Sequence, residues 1–407
     1  MRKLLRRAAS LDRALEGAVL IAQLIGAVTG VLLARALGPV GRGEVATLAL
    51  WGQLIGWIAS FSLDKGVIVL TKKEHVALRR RVALVTSRRL VAVFSLPAMA
   101  IAVLLGRFLF TGWYLPIMLG VLAITIAQME LVGGWLLALG ERPLYLLWRL
   151  AQPTIYLVAV GGTALLRLRG SVTTHEAILL IVAGVVISVV GPVLLRFLPY
   201  LSPEGGWFSW GAARHLLRYG LAAQTANILT YLNGQLDLLA LTLVAGSGVV
   251  GSYAVGASVA QVVVLFGSAA IVRGLTGESE GRDRLAGIAS VVIALAVIVG
   301  APTFVPLVFG TAFHSAVYVA QILAAGNVFN FFLLSACGRL LGSNRPWHAT
   351  IAQASGVIVF GGILLPFHSL RDVALASDIS YLVSLIVAEI LLLNVSATRG
   401  RHVSVQG

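Results

Sequence analysis

The sequence predicts an all-α integral membrane protein of about 12 transmembrane helices, in two parallel six-helix lobes with a central cavity. Three observations carry this. Of 407 residues 58% are hydrophobic and only 12% charged, far more apolar than an ordinary globular chain. Continuous apolar runs near the roughly 20 residues that cross a bilayer as a helix recur along the whole length. Finally, the chain partly repeats itself at an offset of 208 residues, close to half its length. The runs do not alternate polar and apolar as the strands of a membrane barrel would, so each reads as a helix.

Taken in order, the spans are expected at residues 15–34, 45–70, 91–110, 113–138, 144–166, 177–199, 219–243, 249–272, 285–307, 317–340, 348–366 and 372–395. Glu130 and Glu389 interrupt the fourth and twelfth. The basic start, MRKLLRRAAS, leads into a run too long for a secretory signal core and without an A-x-A-like cleavage site, so it reads as a retained first span. With the amino terminus in the cytoplasm, most of the 31 Lys and Arg fall on the cytoplasmic side, as the positive-inside rule requires. The net charge of +15 is therefore topological and does not point to nucleic acid. TKKEHVALRRRVALVTSRR (71–89) reads as a cytoplasmic loop resting on anionic lipid. The single Cys337 allows no internal disulfide, and the seven scattered His form no Cys/His cluster for a metal.

LGPVGRGEV (37–45) lies between the first two spans. A phosphate-cradling glycine loop should follow a strand and open a helix, whereas this one follows a membrane span. It reads as an outer turn in which Gly38 and Pro39 end one helix and Gly41 and Gly43 permit reversal. Its counterpart 208 residues on is AGSGVVGSY, and the register pairs Gly38 with Gly246, Gly43 with Gly251, Gln53 with Gln261 and Ser60 with Ser268. Two six-span halves repeat in parallel when related by an axis along the membrane normal, a common transporter plan. The division is 1–199 for the N-terminal lobe, 200–218 for a cytoplasmic interfacial linker and 219–407 for the C-terminal lobe.

Polar groups inside spans are costly against lipid and usually face a cavity or a partner. In the second span Gln53, Gly56, Ser60 and Asp64 share one stripe, with Lys65 beside Asp64. The seventh span is the most polar: Asn227, Thr230, Gly234 and Asp237 form a stripe flanked by Gln224, Tyr231 and Gln235, expected to line the space between the lobes. Glu130, Arg149, Gln152 and Gln261 complete the set of substrate or ion-coupling candidates. No Walker A sequence, catalytic carboxylate pair or nucleophile-and-base arrangement stands out, so no catalytic residue, metal or cofactor is assigned.

On ARALGPVGRGEV, FSLDKGVIVLTKK, LGERPLYLLWRLAQP, LNGQLDLLAL with GVVGSYAVGASVAQ, and FGTAFHSA, the chain resembles the oligosaccharide flippases of polysaccharide biosynthesis. These belong to the superfamily that also holds lipid II flippases and multidrug and toxin extruders. The resemblance implies a transporter, not an enzyme, in the cytoplasmic membrane with both termini cytoplasmic. It implies alternating-access movement of a polyprenyl-pyrophosphate-linked oligosaccharide, with cavity cations holding the pyrophosphate and an ion gradient or membrane potential driving the cycle. Carried over, it points first to Arg149, Asp64, Lys65 and Asp237. Expected partners are membrane lipids, the lipid-linked glycan, glycosyltransferases and a polysaccharide polymerase. Two departures matter. Gln235 stands where relatives often have Arg, and Gln23 and Thr29 stand where lipid II flippases carry first-span arginines. The alternative is a cation-coupled multidrug or metabolite exporter using Asp64, Glu130 and Asp237.

Overall fold

The protein is described by a computed structural model that covers residues 2–73, 77–168, 174–192, 208–264, 280–343, 345–363 and 369–403. Among the described residues there are twelve α-helices: α1 Arg2–Ser60, α2 Leu63–Lys73, α3 Ala77–Leu109, α4 Tyr114–Ala138, α5 Arg142–Leu168, α6 Thr174–Pro192, α7 Trp210–Val244, α8 Ser247–Ala260, α9 Glu280–Phe309, α10 Ala316–Gly342, α11 Pro346–Ile363 and α12 Leu370–Val403. Seven stretches of them are long and apolar enough to cross a membrane, among them Ile21–Thr71 and Arg284–Phe309. The expected ends of the sixth and eighth spans, 193–199 and 265–272, lie outside the described residues.

Three local expectations change. The second span is not one helix. It breaks at Phe61 and Ser62, whose φ values of 51° and 46° lie in the left-handed region, where an L-residue costs about 1–2 kcal/mol. The supposed loop at 71–89 is mostly helix, since α2 runs to Lys73 and α3 begins at Ala77. Its apolar and small residues are used for packing: Ala83, Leu84, Thr86 and Ser87 are buried, and Trp135 Nε1 donates to Ser87 Oγ at 3.1 Å. In LGPVGRGEV only Gly38 leaves helical geometry (φ 66°, ψ −175°), and Pro39 already starts the next helical stretch, where its missing N–H is no loss.

The chain divides into two compact units, one of residues 1–37 and 44–228, the other of 38–43 and 229–407. In the first, α4 is apolar nearly all round, Glu130 apart, and is the central helix. Leu119, Ala123, Ala127, Leu131 and Leu136 are fully or almost fully buried. Close approach of neighbours depends on small residues: a Cβ on Gly56 of α1 would lie 2.7 Å from Ala123 O, and one on Gly134 of α4 would lie 2.5 Å from Asp64 Cβ. The helix ends at Gly140 (φ 78°), with Glu141 N–H on Leu136 O and Gly140 N–H on Leu137 O. That paired bonding satisfies two terminal carbonyls and directs the chain into α5.

In the second unit α10 and α12 supply the interior, through Phe331, Leu333, Ala336, Leu340, Ala374 and Ala388. On α9, Leu285, Ile288, Val292, Leu295 and Val299 are exposed at helical spacing, a stripe suited to hydrocarbon. Glu389, which interrupts the twelfth span in sequence, pairs with Arg339 of α10 at 2.5 Å, so the two charges offset one another.

Within this unit Gly43 and Gly251, one of the pairs matched by the repeat, meet. A Cβ on Gly43 would sit 1.8 Å from Ser247 O, and one on Gly251 would sit 1.9 Å from Pro39 O and 2.8 Å from Gly43 N. Because the obstacle is backbone on both sides, Gly251→Ala is expected to cost at least the 1–3 kcal/mol typical of overpacking. A fall in melting temperature of the purified protein checks this. Gly300→Ala is the control, since a Cβ there meets nothing within 4 Å.

Candidate functional site

A cavity of about 470 Å³ lies inside the first unit. Its polar wall is built from α1, α4 and α5. Helix α5 contributes Arg149, Gln152, Pro153 and Tyr156, positions i, i+3, i+4 and i+7, which fall on one helical face. Pro153 has no N–H to give to the Arg149 carbonyl four residues back. Helix α1 contributes Gln23, Gln53 and Trp57, and α4 contributes Met129 and Glu130. The remaining wall, including Leu48, Leu122, Ile126, Ile178 and Val182, is apolar.

Charge in the cavity is organised around Glu130. Its Oε1 accepts from Trp57 Nε1 at 3.2 Å, and Arg149, Lys65 and Asp64 all lie within electrostatic reach of it. Arg149 is exposed and Glu130 half-buried. The wall thus offers one guanidinium, one carboxylate, three amide side chains and two amphipathic aromatics to a ligand.

Of the residues picked out in the sequence, Gln53, Glu130, Arg149 and Gln152 come together here. Asp64 and Lys65 do not line the cavity. Asp64 is pressed against Gly134, and Lys65 Nζ donates to Asn227 Oδ1 at 2.6 Å. The stripe Gln53–Asp64 is divided because the helix carrying it breaks at Phe61. Asn227 also donates from Nδ2 to Ser62 Oγ at 3.0 Å.

Asp237 belongs to the second unit and is 6% exposed. Tyr253 Oη donates to its Oδ2 at 2.6 Å, and Leu238 N–H donates to its Oδ1 at 2.7 Å. The Ser377 hydroxyl bonds the same carboxylate, and Asp378 lies within electrostatic reach. Nearby, Asn233 Nδ2 donates to Gln353 Oε1 at 2.6 Å and Ser380 Oγ donates to Asn233 Oδ1 at 3.1 Å. Gln235 is half-buried, and Gln261 is exposed at the start of a 3₁₀ turn after α8.

Trp57, Tyr156 and Gln23 were not chosen as site residues in the sequence. The face Arg149–Gln152–Tyr156 was visible as helical spacing, but nothing in one chain says which face of α5 lines a cavity. Asp378 is an acidic residue within an expected span, the same signal that marked Asp237. Tyr253 left no such signal, because a tyrosine in an apolar helix is ordinary.

No protein-family model matches the chain, and no curated protein matches it. Solved structures do. A multidrug resistance MATE family transporter of the MOP superfamily, in an inward-facing conformation, is 14% identical with a TM-score of 0.70, covering 93% of this chain and 96% of its own. The lipid II flippase MurJ, in an inward closed conformation, is 10% identical with a TM-score of 0.70, covering 92% of this chain and 86% of its own. A MATE protein in its straight conformation is 16% identical with a TM-score of 0.61 over 96% of both chains. With sequences this divergent, the likeness is one of fold. The chain is a multi-pass membrane protein with the fold shared by MATE transporters and the lipid II flippase MurJ.

Proposed function

We infer that the protein is a flippase that moves a polyprenyl-pyrophosphate-linked oligosaccharide across the cytoplasmic membrane by alternating access, both termini being cytoplasmic. The observation that carries this is the composition of the cavity wall: Arg149 together with Gln23, Gln53, Gln152, Trp57 and Tyr156. Guanidinium matches phosphate oxygens in a two-pronged geometry. Amide side chains both donate and accept, as sugar hydroxyls require, and flat aromatics offer apolar faces to sugar rings. The volume falls within the roughly 300–1,000 Å³ of pockets that enclose drug-sized ligands, so this cavity takes the phosphate-proximal part of the substrate. Gln235, standing where relatives often carry Arg, leaves Arg149 as the cation this reading depends on.

Two observations favour the alternative of a cation-coupled exporter: Glu130 places a carboxylate in the same cavity, and two of the similar folds are MATE proteins, one of them a multidrug resistance transporter. The deciding experiment reconstitutes the protein alone in liposomes with a labelled polyprenyl-pyrophosphate sugar in one leaflet. Time-dependent appearance in the other leaflet is expected. No movement above empty liposomes, together with gradient-driven efflux of an organic cation, establishes the exporter instead. A flippase of this class also implies glycosyltransferases that supply the substrate and a polymerase that consumes it.

A further inference from the structure

The break in the second span is joined to the cavity by a continuous line of hydrogen bonds, all within the first unit. In an unbroken helix the Trp57 carbonyl would accept from the amide of Phe61. Here Phe61 N–H turns to Ile58 O at 3.2 Å. The Trp57 carbonyl instead accepts from Gln224 Nε2 of α7 at 2.9 Å and from Ser60 Oγ at 2.8 Å. Gln224 Oε1 in turn accepts from Ser62 Oγ at 2.7 Å, so one amide side chain holds both edges of the gap. Asn227 and Lys65 extend the line by one helical turn. The backbone of α7 abuts the break directly, since a Cβ on Gly220 would lie 2.4 Å from Phe61 O. The Phe61 ring is stacked on Phe94 of α3 at 5.2 Å.

The other end of the line is in the cavity. The indole of Trp57 donates to Glu130, while its carbonyl is the acceptor for which Phe61 and Gln224 compete. Trp57 is thus fastened at its side chain by a cavity carboxylate and at its backbone by the break.

We propose that Trp57 is a positioning residue that reports cavity occupancy to the break at Phe61–Ser62. Resting on the reading of the cavity as a substrate site, the mechanism is a competition for Glu130. A substrate hydroxyl or cation that takes the carboxylate releases the indole, and residue 57 then turns. The Trp57 carbonyl passes between Gln224 (broken form) and the Phe61 amide (continuous form), which redirects α2. This supplies what a ligand-driven transition needs: an element with two discrete arrangements, one of which the ligand favours. Glu130, Gln224 and Ser62 are the other essential links.

Hydrogen–deuterium exchange of the full chain in lipid nanodiscs, without substrate, tests the proposal at the amides of residues 58–66. Trp57→Phe and Glu130→Ala each cut the link at the cavity end and so favour the continuous form, in which these amides gain helical acceptors; at least threefold slower exchange at Phe61–Gly66 is expected from both. Glu130→Gln keeps an acceptor oxygen for the indole and should exchange like wild type. Gln53→Ala alters the same cavity away from the line and should also leave these amides unchanged. Unchanged or faster exchange in both Trp57→Phe and Glu130→Ala, or an equal change in Gln53→Ala, overturns the proposal. Protection of α10 in the second unit identifies any variant that has lost its fold, and Trp57→Phe decides if Glu130→Ala is such a variant. Because no substrate is present, the outcome is independent of the flippase assay, and either idea can fail without the other.

Discussion

Arg149→Ala is expected to reduce the initial rate of pyrophosphate-linked glycan translocation at least tenfold in liposomes, with normal insertion and melting temperature. The structural cost is small because the side chain is exposed into the cavity. The cost to binding is not. A hydrogen bond to a charged group contributes about 1.5–3 kcal/mol, equivalent to roughly 10–150-fold in affinity. Losing the guanidinium also leaves Glu130 as the nearest cavity charge, and a carboxylate repels phosphate. Arg149→Lys should recover part of the rate, since it keeps the charge but not the planar fork. An alanine variant that flips the labelled lipid at the wild-type rate removes Arg149 from the mechanism. If the alanine variant instead moves organic cations faster than wild type, the exporter reading is the better one.

The second large effect is expected from Asp237→Asn, where charge can be separated from fold. Asparagine can place its oxygen on Leu238 N–H and its NH₂ toward Tyr253 Oη, which then rotates to accept. Of the three contacts that hold the side chain, those to Leu238 and Tyr253 therefore survive in neutral form, the third being to Ser377. What is lost is the capacity to carry a negative charge or a proton. If Asp237 couples transport to an ion gradient, this variant should fold with a melting temperature near that of wild type yet lose its response to an imposed Na⁺ or pH gradient, by tenfold or more. Retained gradient stimulation would assign Asp237 a purely structural role. Asp237→Leu leaves the buried Tyr253 hydroxyl without its acceptor. It should destabilise by about 1–3 kcal/mol and so show a lowered melting temperature whatever the transport outcome.

The sequence by itself determined that this chain lives in a membrane and is helical. Those properties follow from local composition, because a bilayer leaves an apolar run of about 20 residues few alternatives to a helix. It also marked Arg149, Gln152, Gln53 and Glu130, because a polar group in an apolar helix is conspicuous wherever it points. The pairing of Gly43 with Gly251 was legible as a repeat, although its physical meaning, two backbones in contact, was not.

Only the tertiary structure decided which polar residues share a cavity and which bond to a neighbouring helix. Lys65 and Asn227, 162 positions apart, satisfy one another, and Asp237 is held by Tyr253. The break at Phe61–Ser62 is the clearest case. Nothing in FSLDK forbids a helix, and propensity alone would carry the span straight through. The left-handed turn persists because Gln224 takes the Trp57 carbonyl that Phe61 gives up. The energy that makes such a conformation stable comes from a helix more than 150 residues away in sequence, which no local pattern can reveal.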